Sequence, residues 1–258
     1  MKMTTIRDIN SKLEMLAPAC LGEAWDNDGI MLCGNLDKQV ERVLVCLDVT
    51  TKAIENAKQT GVQLIISHHP LIFRPLKRIY GESFEKISQL IESDISVLSY
   101  HTRLDSAENG VNFALAKALG LCEISPYGGE NGCSGRIGEL ESECSIKEFV
   151  KRLKDAIGAK CVRVGMCDKE AVKKVALLGG SGKDFVGDAQ RCGCDVFVTG
   201  EVPHNVFLEA RSRGIYIVEA GHYFTENQIC QSLCQTLKAC FEKVEFTVFD
   251  NGAPYEEM

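Results

Sequence analysis

Residues 43–69, VLVCLDVTTKAIENAKQTGVQLIISHH, hold a strand, a helix and a second strand in 27 positions. Val43–Leu47 is an unbroken apolar run, the pattern of a strand covered on both faces. Thr50–Gln59 reads as a helix, Gly61 as the residue just past its end, and Leu64–Ser67 as the next strand. The same order recurs without a gap 132 residues later. There VALLGGSGKDFVGDAQRCGCDVFVTGE, residues 175–201, sets Ala189 on Ala57 and Gly193 on Gly61. At a displacement near 120, the strand before His101 matches the strand before His222. The expected fold is α/β, built as two similar α/β domains from an internal duplication. Strand–helix alternation is common in α/β chains, so two unrelated βαβ segments would share part of this pattern. The Gly/Ser-rich stretch SPYGGENGCSG, Ser125–Gly135, has turn chemistry and is the expected seam, dividing the chain into 1–124 and 125–258.

Outward from these segments the alternation continues. Thr4 or Thr5 is a helix N-cap, with Ile6, Ile9, Leu13 and Leu16 at helical spacing. Short strands are expected at Gly29–Cys33 and Ile95–Tyr100, and a helix over about Gly110–Leu119. Ser145 and Glu148 form a capping-box pair before a helix to Ile157. Strands at Cys161–Val164, Val196–Thr199, Ile215–Val218 and Val244–Phe249 follow, with helices at Phe185–Arg191 and about Glu226–Phe241.

Composition narrows the function classes. The chain has 258 residues, enough for one large or two modest domains, each with its own core. Its net charge of −7 makes non-specific nucleic-acid binding unlikely. The 13 cysteines include no CxxC pair and match no zinc-ribbon spacing, so they read as small buried hydrophobes in a reducing compartment. Cys192-Gly-Cys194 is the one pair close enough to suggest a soft-metal or redox site. The amino terminus has no apolar signal core, and apolar runs of about five residues fall far short of a bilayer span. These features predict a cytoplasmic protein with no membrane segment.

The five histidines each follow an expected strand: His68 and His69 after LIIS, His101 after ISVLSY, His204 after FVTGE, and His222 after IYIVEAG. In open α/β sheets, ligands gather beyond the carboxyl ends of the strands. His101 precedes Asp105 by four residues, and His222 precedes Glu226 by the same interval. On a helix such pairs share one face. Imidazole with carboxylate is the ligand set of Zn²⁺, Mn²⁺ or Fe²⁺, and this many donors suits two ions bridged by a carboxylate. Strand-end histidines that merely hydrogen-bond loops are the competing expectation.

The motifs WDNDGIMLCG from Trp25, ISHHPLIF from Ile66, HTRLD from His101 with the following NGVN, GSG from Gly180, TGE from Thr199 and GHYFTE from Gly221 run in order over most of the chain. In these the chain resembles the GTP cyclohydrolase 1 type 2 family, also described as dinuclear-metal-centre hexameric proteins. The resemblance implies metal ligands at His68, His69, Asp105, His222 and Glu226. It also implies two divalent ions per chain, a metal site between two similar α/β domains, and a homohexamer.

The implied reaction is attack on C8 of the guanine ring of GTP, giving dihydroneopterin triphosphate and formate. In that scheme Glu226 or Asp105 bridges the ions, and His101 is a candidate proton shuttle. Arg103 stands where the family pattern has a small polar residue, so it is either a phosphate anchor or a surface arginine. Gly180, Ser181 and Gly182 form either a phosphate cradle or a plain tight turn. His204, after the unexpected Pro203, has no assigned role. The alternatives to the cyclohydrolase are a metal-dependent phosphoesterase and a non-catalytic metal-binding scaffold or regulatory protein.

Overall fold

Both apolar runs at the centre of the repeat form interior strands. The computed structural model describes residues 3–129 and 132–256. In chain order the first elements are α1 (Ile6–Leu16), β1 (Gly29–Leu32), β2 (Arg42–Cys46), α2 (Thr51–Thr60), β3 (Leu64–Ser67), α3 (Glu82–Glu92), β4 (Ser96–Ser99), α4 (Thr102–Ser106) and α5 (Val111–Ala118). Then come β5 (Cys122–Tyr127), β6 (Gly135–Cys144), α6 (Ile146–Ile157), β7 (Arg163–Gly165), β8 (Val172–Ser181), α7 (Val186–Arg191) and β9 (Val196–Glu201). The chain continues with α8 (His204–Ser212), β10 (Tyr216–Glu219), α9 (His222–Glu226), α10 (Gln228–Cys240) and β11 (Glu245–Val248).

The chain forms two compact units. Unit 1 is Met1–Leu104 with Ile229–Gly252; unit 2 is Asp105–Gln228 with Ala253–Met258. Unit 1 carries a five-stranded sheet, β1-β4-β3-β2-β11, and unit 2 a six-stranded sheet, β5-β6-β8-β9-β10-β7.

The duplication extends to topology and register. In unit 1, β2, β3 and β4 are parallel neighbours, with β1 antiparallel on β4. In unit 2, β8, β9 and β10 are parallel neighbours, with β7 antiparallel on β10. Val43 pairs with Leu64 as Val175 pairs with Val196. In each unit the first residue of the antiparallel edge strand pairs with the last residue of its parallel neighbour: Gly29 with Ser99, and Arg163 with Glu219. The units differ beyond this four-strand motif. Unit 1 adds β11 parallel to β2, whereas unit 2 adds β6 and β5 antiparallel on β8.

The expected division at 124/125 differs from these bounds. α10 and β11 return to unit 1, because β11 covers the edge of β2. The Ser125–Gly135 stretch runs from the second half of β5 to the first residue of β6, inside unit 2. Residues 130 and 131 of that stretch lie outside the described residues. Six elements were not expected from the sequence: α3, α4, α8, α9, β5 and β6. The helix expected over about Glu226–Phe241 is α10, and the separate short helix α9 precedes it.

Helix ends follow local chemistry. Thr5 caps α1 and Ser145 caps α6, each in a reciprocal capping box, with Asp8 and Glu148 as the returning carboxylates. Gly61 ends α2 in the left-handed conformation. In unit 2 the strand side chains alternate between two cores. Val175, Leu177, Val196, Val198 and Val218 join Phe149 and Leu153 of α6, while Ala176, Phe197 and Ile217 join Val186 of α7 and Val206 of α8. Burial on both faces is why these strands read as apolar runs rather than alternating ones. Among the described residues, no helix is long and apolar enough to cross a membrane.

Candidate metal centre

The three central strands of unit 1 end level with one another, since Cys46 pairs with Ser67 and Ser67 with Ser99. Backbone hydrogen bonds run past the strand ends, from His68 N to Cys46 O, His69 N to Leu47 O and Tyr100 N to Ser67 O. The Ser67 and Ser99 hydroxyls meet at 2.8 Å, and Ser67 also donates to the His69 carbonyl. Asp48, His68, His69 and His101 therefore leave the same edge of the sheet on a rigid base. The ligand nitrogens of His68, His69 and His101 all lie within 4.8 Å of one another.

Each of these rings is oriented through Nδ1. His68 Nδ1 is 3.0 Å from the Tyr100 carbonyl, His69 Nδ1 is 2.8 Å from Asp48 Oδ1, and His101 Nδ1 is 2.8 Å from Asp26 Oδ1. A carbonyl or a carboxylate can only accept, so each Nδ1 carries the proton and each Nε2 the lone pair. Metal-binding histidines are held in this way.

The motif around Trp25 serves the same ring. Asp26 accepts from His101 through one oxygen and from the Thr102 amide and hydroxyl, at 3.0 and 2.6 Å, through the other. Burial pushes the Asp26 carboxyl up, but the bonds from His101 and Thr102 outweigh it and hold the group below the usual carboxylate range.

Unit 2 builds its part around α9. His222 and Glu226 lie one turn apart, and His222 Nε2 is 3.0 Å from Glu226 Oε2. His222 Nδ1 faces Glu201 Oε1 at 3.3 Å. A carboxyl group at each ring nitrogen calls for a second ring proton, a protonated carboxyl or a metal ion, since a neutral imidazole carries one N–H. Asp105 opens unit 2. Its carbonyl accepts from Asn112 Nδ2, which also donates to the Ser134 carbonyl, while Asn112 Oδ1 accepts from Gly179 N. The fully buried Asn112 so ties the Asp105 segment to the end of β8.

The donor chemistry of both units suits divalent ions of the Zn, Mn or Fe type: imidazole Nε2 atoms with oriented Nδ1 partners, and carboxylates beside them.

Four expectations take a different form. Arg103 is neither on the surface nor available to phosphate. It is 2% exposed, pairs with Glu14 at 2.8 Å and Asp28 at 2.9 Å, and lies 4.2 Å over the Tyr100 ring. Burial pushes the Asp28 carboxyl up despite Arg103. Gly180 and Ser181 belong to the sheet rather than to a helix start. Gly180 and Ser181 close β8, the Gly179 and Gly180 amides donate to Asn112 and Thr225, and α7 starts only at Val186. Gly180 has φ +64°, and a Cβ there would collide with Glu226 Oε1 and sit 3.3 Å from His222 Nε2. Its role is close backbone approach to the α9 pair.

His204 starts α8, is exposed, and joins none of the groups of potential metal ligands found among the described residues. The thiol of Cys194 is buried and pushed up to about 12 by that burial, which leaves it without thiolate character for a soft-metal or redox site.

Three partners escaped sequence analysis: Asp26, Asp48 and Glu201. Asp26 and Glu201 lie inside the quoted motifs, and Asp48 stands just past a strand end, so position was the available signal.

The model of the Duf34/NIF3 (NGG1p interacting factor 3) family matches residues 4–254. A Clostridium perfringens protein named GTP cyclohydrolase 1 type 2 homolog is 34% identical over 251 residues, covering 94% of this chain and 95% of its own. A Clostridium acetobutylicum protein of the same name is 30% identical over 228 residues, 86% of this chain and 85% of its own. The crystal structure of a Bacillus cereus protein related to NIF3 superposes with a TM-score of 0.91 at 24% identity, over 100% of both chains, and shares the fold.

Proposed function

The chain belongs to the Duf34/NIF3 family, and from that premise we propose that it is a dinuclear metal-dependent hydrolase acting on a purine nucleotide, with GTP the first candidate. The proposed ligands are His68, His69, Asp105, His222 and Glu226, and the proposed assembly is a cytoplasmic homohexamer. The supporting observation is the shared orientation of the imidazoles: His68, His69, His101 and His222 each face an acceptor-only oxygen with Nδ1. The names of the clostridial relatives support the choice of GTP.

Divalent ions held by these residues supply Lewis acidity and a water deprotonated near pH 7. The chain's own residues do the rest. Asp48 and the Tyr100 carbonyl keep the His69 and His68 lone pairs on Nε2. Asp26 does the same for His101 and stabilises its ring when a second proton arrives at Nε2. His101 is then set to take a proton from each of two waters in turn. The first water adds to C8 and its proton goes to N9 as C8–N9 breaks. The second adds to the resulting formamide and its proton goes to N7 as formate leaves. Rearrangement of the ribose and ring closure with loss of one water then give the pterin. Glu226, buried and next to His222, and Asp105 would supply the carboxylates that hold the ions.

Formate release from GTP by metal-replete protein, with elemental analysis finding about two ions per chain, is the expected result. His101→Ala separates two roles for that ring. Two ions retained with turnover lost assigns proton transfer; loss of an ion makes His101 a ligand. Two ions bound without formate release would remove the cyclohydrolase reading and favour the phosphoesterase or the scaffold.

A further inference from the structure

Two large aromatic side chains of unit 1 stand in solvent beside the histidine cluster. Trp25 is 63% exposed and Phe73 45% exposed. Their ring centroids are 6.1 Å apart, and His101 lies 6.3 Å from Trp25 and 6.0 Å from Phe73. The interplanar angles are 64°, 76° and 81°, so the three rings form a corner in which no pair consumes its faces by stacking. The corner is pre-formed. Asn27 donates to the Ile72 carbonyl, tying the segment of Trp25 to that of Phe73, and Asp26 holds His101.

Phe73 opens an exposed, irregular run that carries Arg74, Lys77 and Arg78, a local excess of positive charge in a chain of net charge −7. Exposed aromatic faces bind flat π-systems, and neighbouring cations favour anionic ones. No such arrangement accompanies Arg103 or the Gly180 loop.

We propose that Trp25 and Phe73 form a stacking platform beside His101 for the planar heteroaromatic ring of an anionic substrate, a purine nucleotide, with Arg74, Lys77 and Arg78 facing its phosphates. The choice of a nucleotide rests on the hydrolase reading above; the platform rests on the ring geometry. Stacking against Trp25 would set the base next to the Nε2 side of the histidine cluster while the phosphates stay over the basic run.

Trp25 is the only tryptophan in the chain, so its fluorescence reports on the platform alone. The full-length, metal-loaded protein is titrated with GTP, guanosine and inorganic triphosphate. GTP and guanosine should quench Trp25 saturably, guanosine more weakly, and triphosphate should not. Phe73→Leu should weaken GTP binding about tenfold, and Trp25→Leu should do the same by calorimetry, with metal content unchanged in both. Both sites are exposed, so folding should be retained.

Equal quenching by triphosphate, or unchanged GTP affinity in both variants, overturns the platform. A ligand-free blue shift of Trp25 emission with rising protein concentration also overturns it, by showing that a second copy covers the rings. Quenching by GTP without formate release leaves the platform standing and removes the reaction. Formate release with normal KM in Phe73→Leu does the reverse.

Discussion

His69 Nδ1 lies 2.8 Å from Asp48 Oδ1, and the two residues stand just past the ends of adjacent parallel strands. The pairing of β2 with β3 is thus what sets the orientation of a proposed metal ligand. Asp48 itself is held from behind, since Asn251 Nδ2 donates to its carbonyl at 3.0 Å. Sheet geometry, carboxylate and imidazole form one continuous chain of constraint.

Asp48→Ala should therefore weaken metal binding without unfolding the protein. The Asp48 side chain is 48% exposed, so its loss leaves no cavity. A loss of about 10- to 100-fold in affinity is expected from removing such a partner. Competition with a chromophoric chelator measures it, and an unchanged affinity would show that His69 is not a ligand.

Arg103→Ala should lower stability rather than nucleotide affinity. It would leave Asp28 and Glu14 facing a gap in a largely buried pocket. Breaking one side of a buried pair costs about 3–5 kcal/mol; Glu14 is 40% exposed, which places the expected loss at the lower end. Urea titration reads this directly. A variant of normal stability with a raised KM for GTP would restore the phosphate-anchor role.

Gly180→Ala should damage both stability and metal binding. The left-handed conformation alone costs a non-glycine residue about 1–2 kcal/mol, and the added Cβ also displaces Glu226. Gly158→Ala is the control: φ there is +73°, but nothing lies within 4 Å of the added atom. Gly158→Ala should lose stability and keep its metal, whereas Gly180→Ala should lose both.

Asp195 predicts part of the acid sensitivity of unit 2. Burial pushes its carboxyl up, but Lys169 Nζ and the Lys173 and Lys174 amides outweigh that and hold it below the usual value. A depressed carboxyl stabilises the fold above its unfolded pKa of about 3.9, and the contribution disappears as pH falls through the lower folded value. Asp195→Asn should be less stable than the parent at pH 7, with the gap closing below about pH 4. Denaturant midpoints across that range test it; a gap independent of pH would assign the loss to geometry alone.

Much of this was legible because the strands are buried on both faces. VLVCL and VALL could be read as strands without any partner, Thr4 or Thr5 could be read as a cap, and the cap at Ser145 announced itself by the carboxylate of Glu148 three residues on. The strand-end histidines were visible for the same reason. What escaped depends on distant pairing. β5 and β6 are half-exposed strands whose mixed composition lacks an apolar run. The placement of β11 on β2 joins Glu245 to Arg42 across nearly the whole chain, and nothing local encodes it. Arg103 was misread because a buried arginine needs Glu14 and Asp28, which lie some 75 or more positions earlier in the sequence. Gly180 was left between a cradle and a turn because a glycine that admits a neighbouring side chain looks, in sequence, like one that admits a ligand.

The return of β11 and Asn251 to unit 1 also sets a timetable. During synthesis β2, β3 and β4 leave the ribosome well before β11, so the edge of β2 stays open and the Asp48 carbonyl lacks its Asn251 donor until residues 245–251 are made. Unit 1 is thus completed only after the Asp105–Gln228 segment of unit 2 has been synthesised, although it begins first. A nascent chain arrested before residue 245 would expose a bare strand edge, the usual template for aggregation. Maturation of the histidine edge in this way waits for residues 245–251.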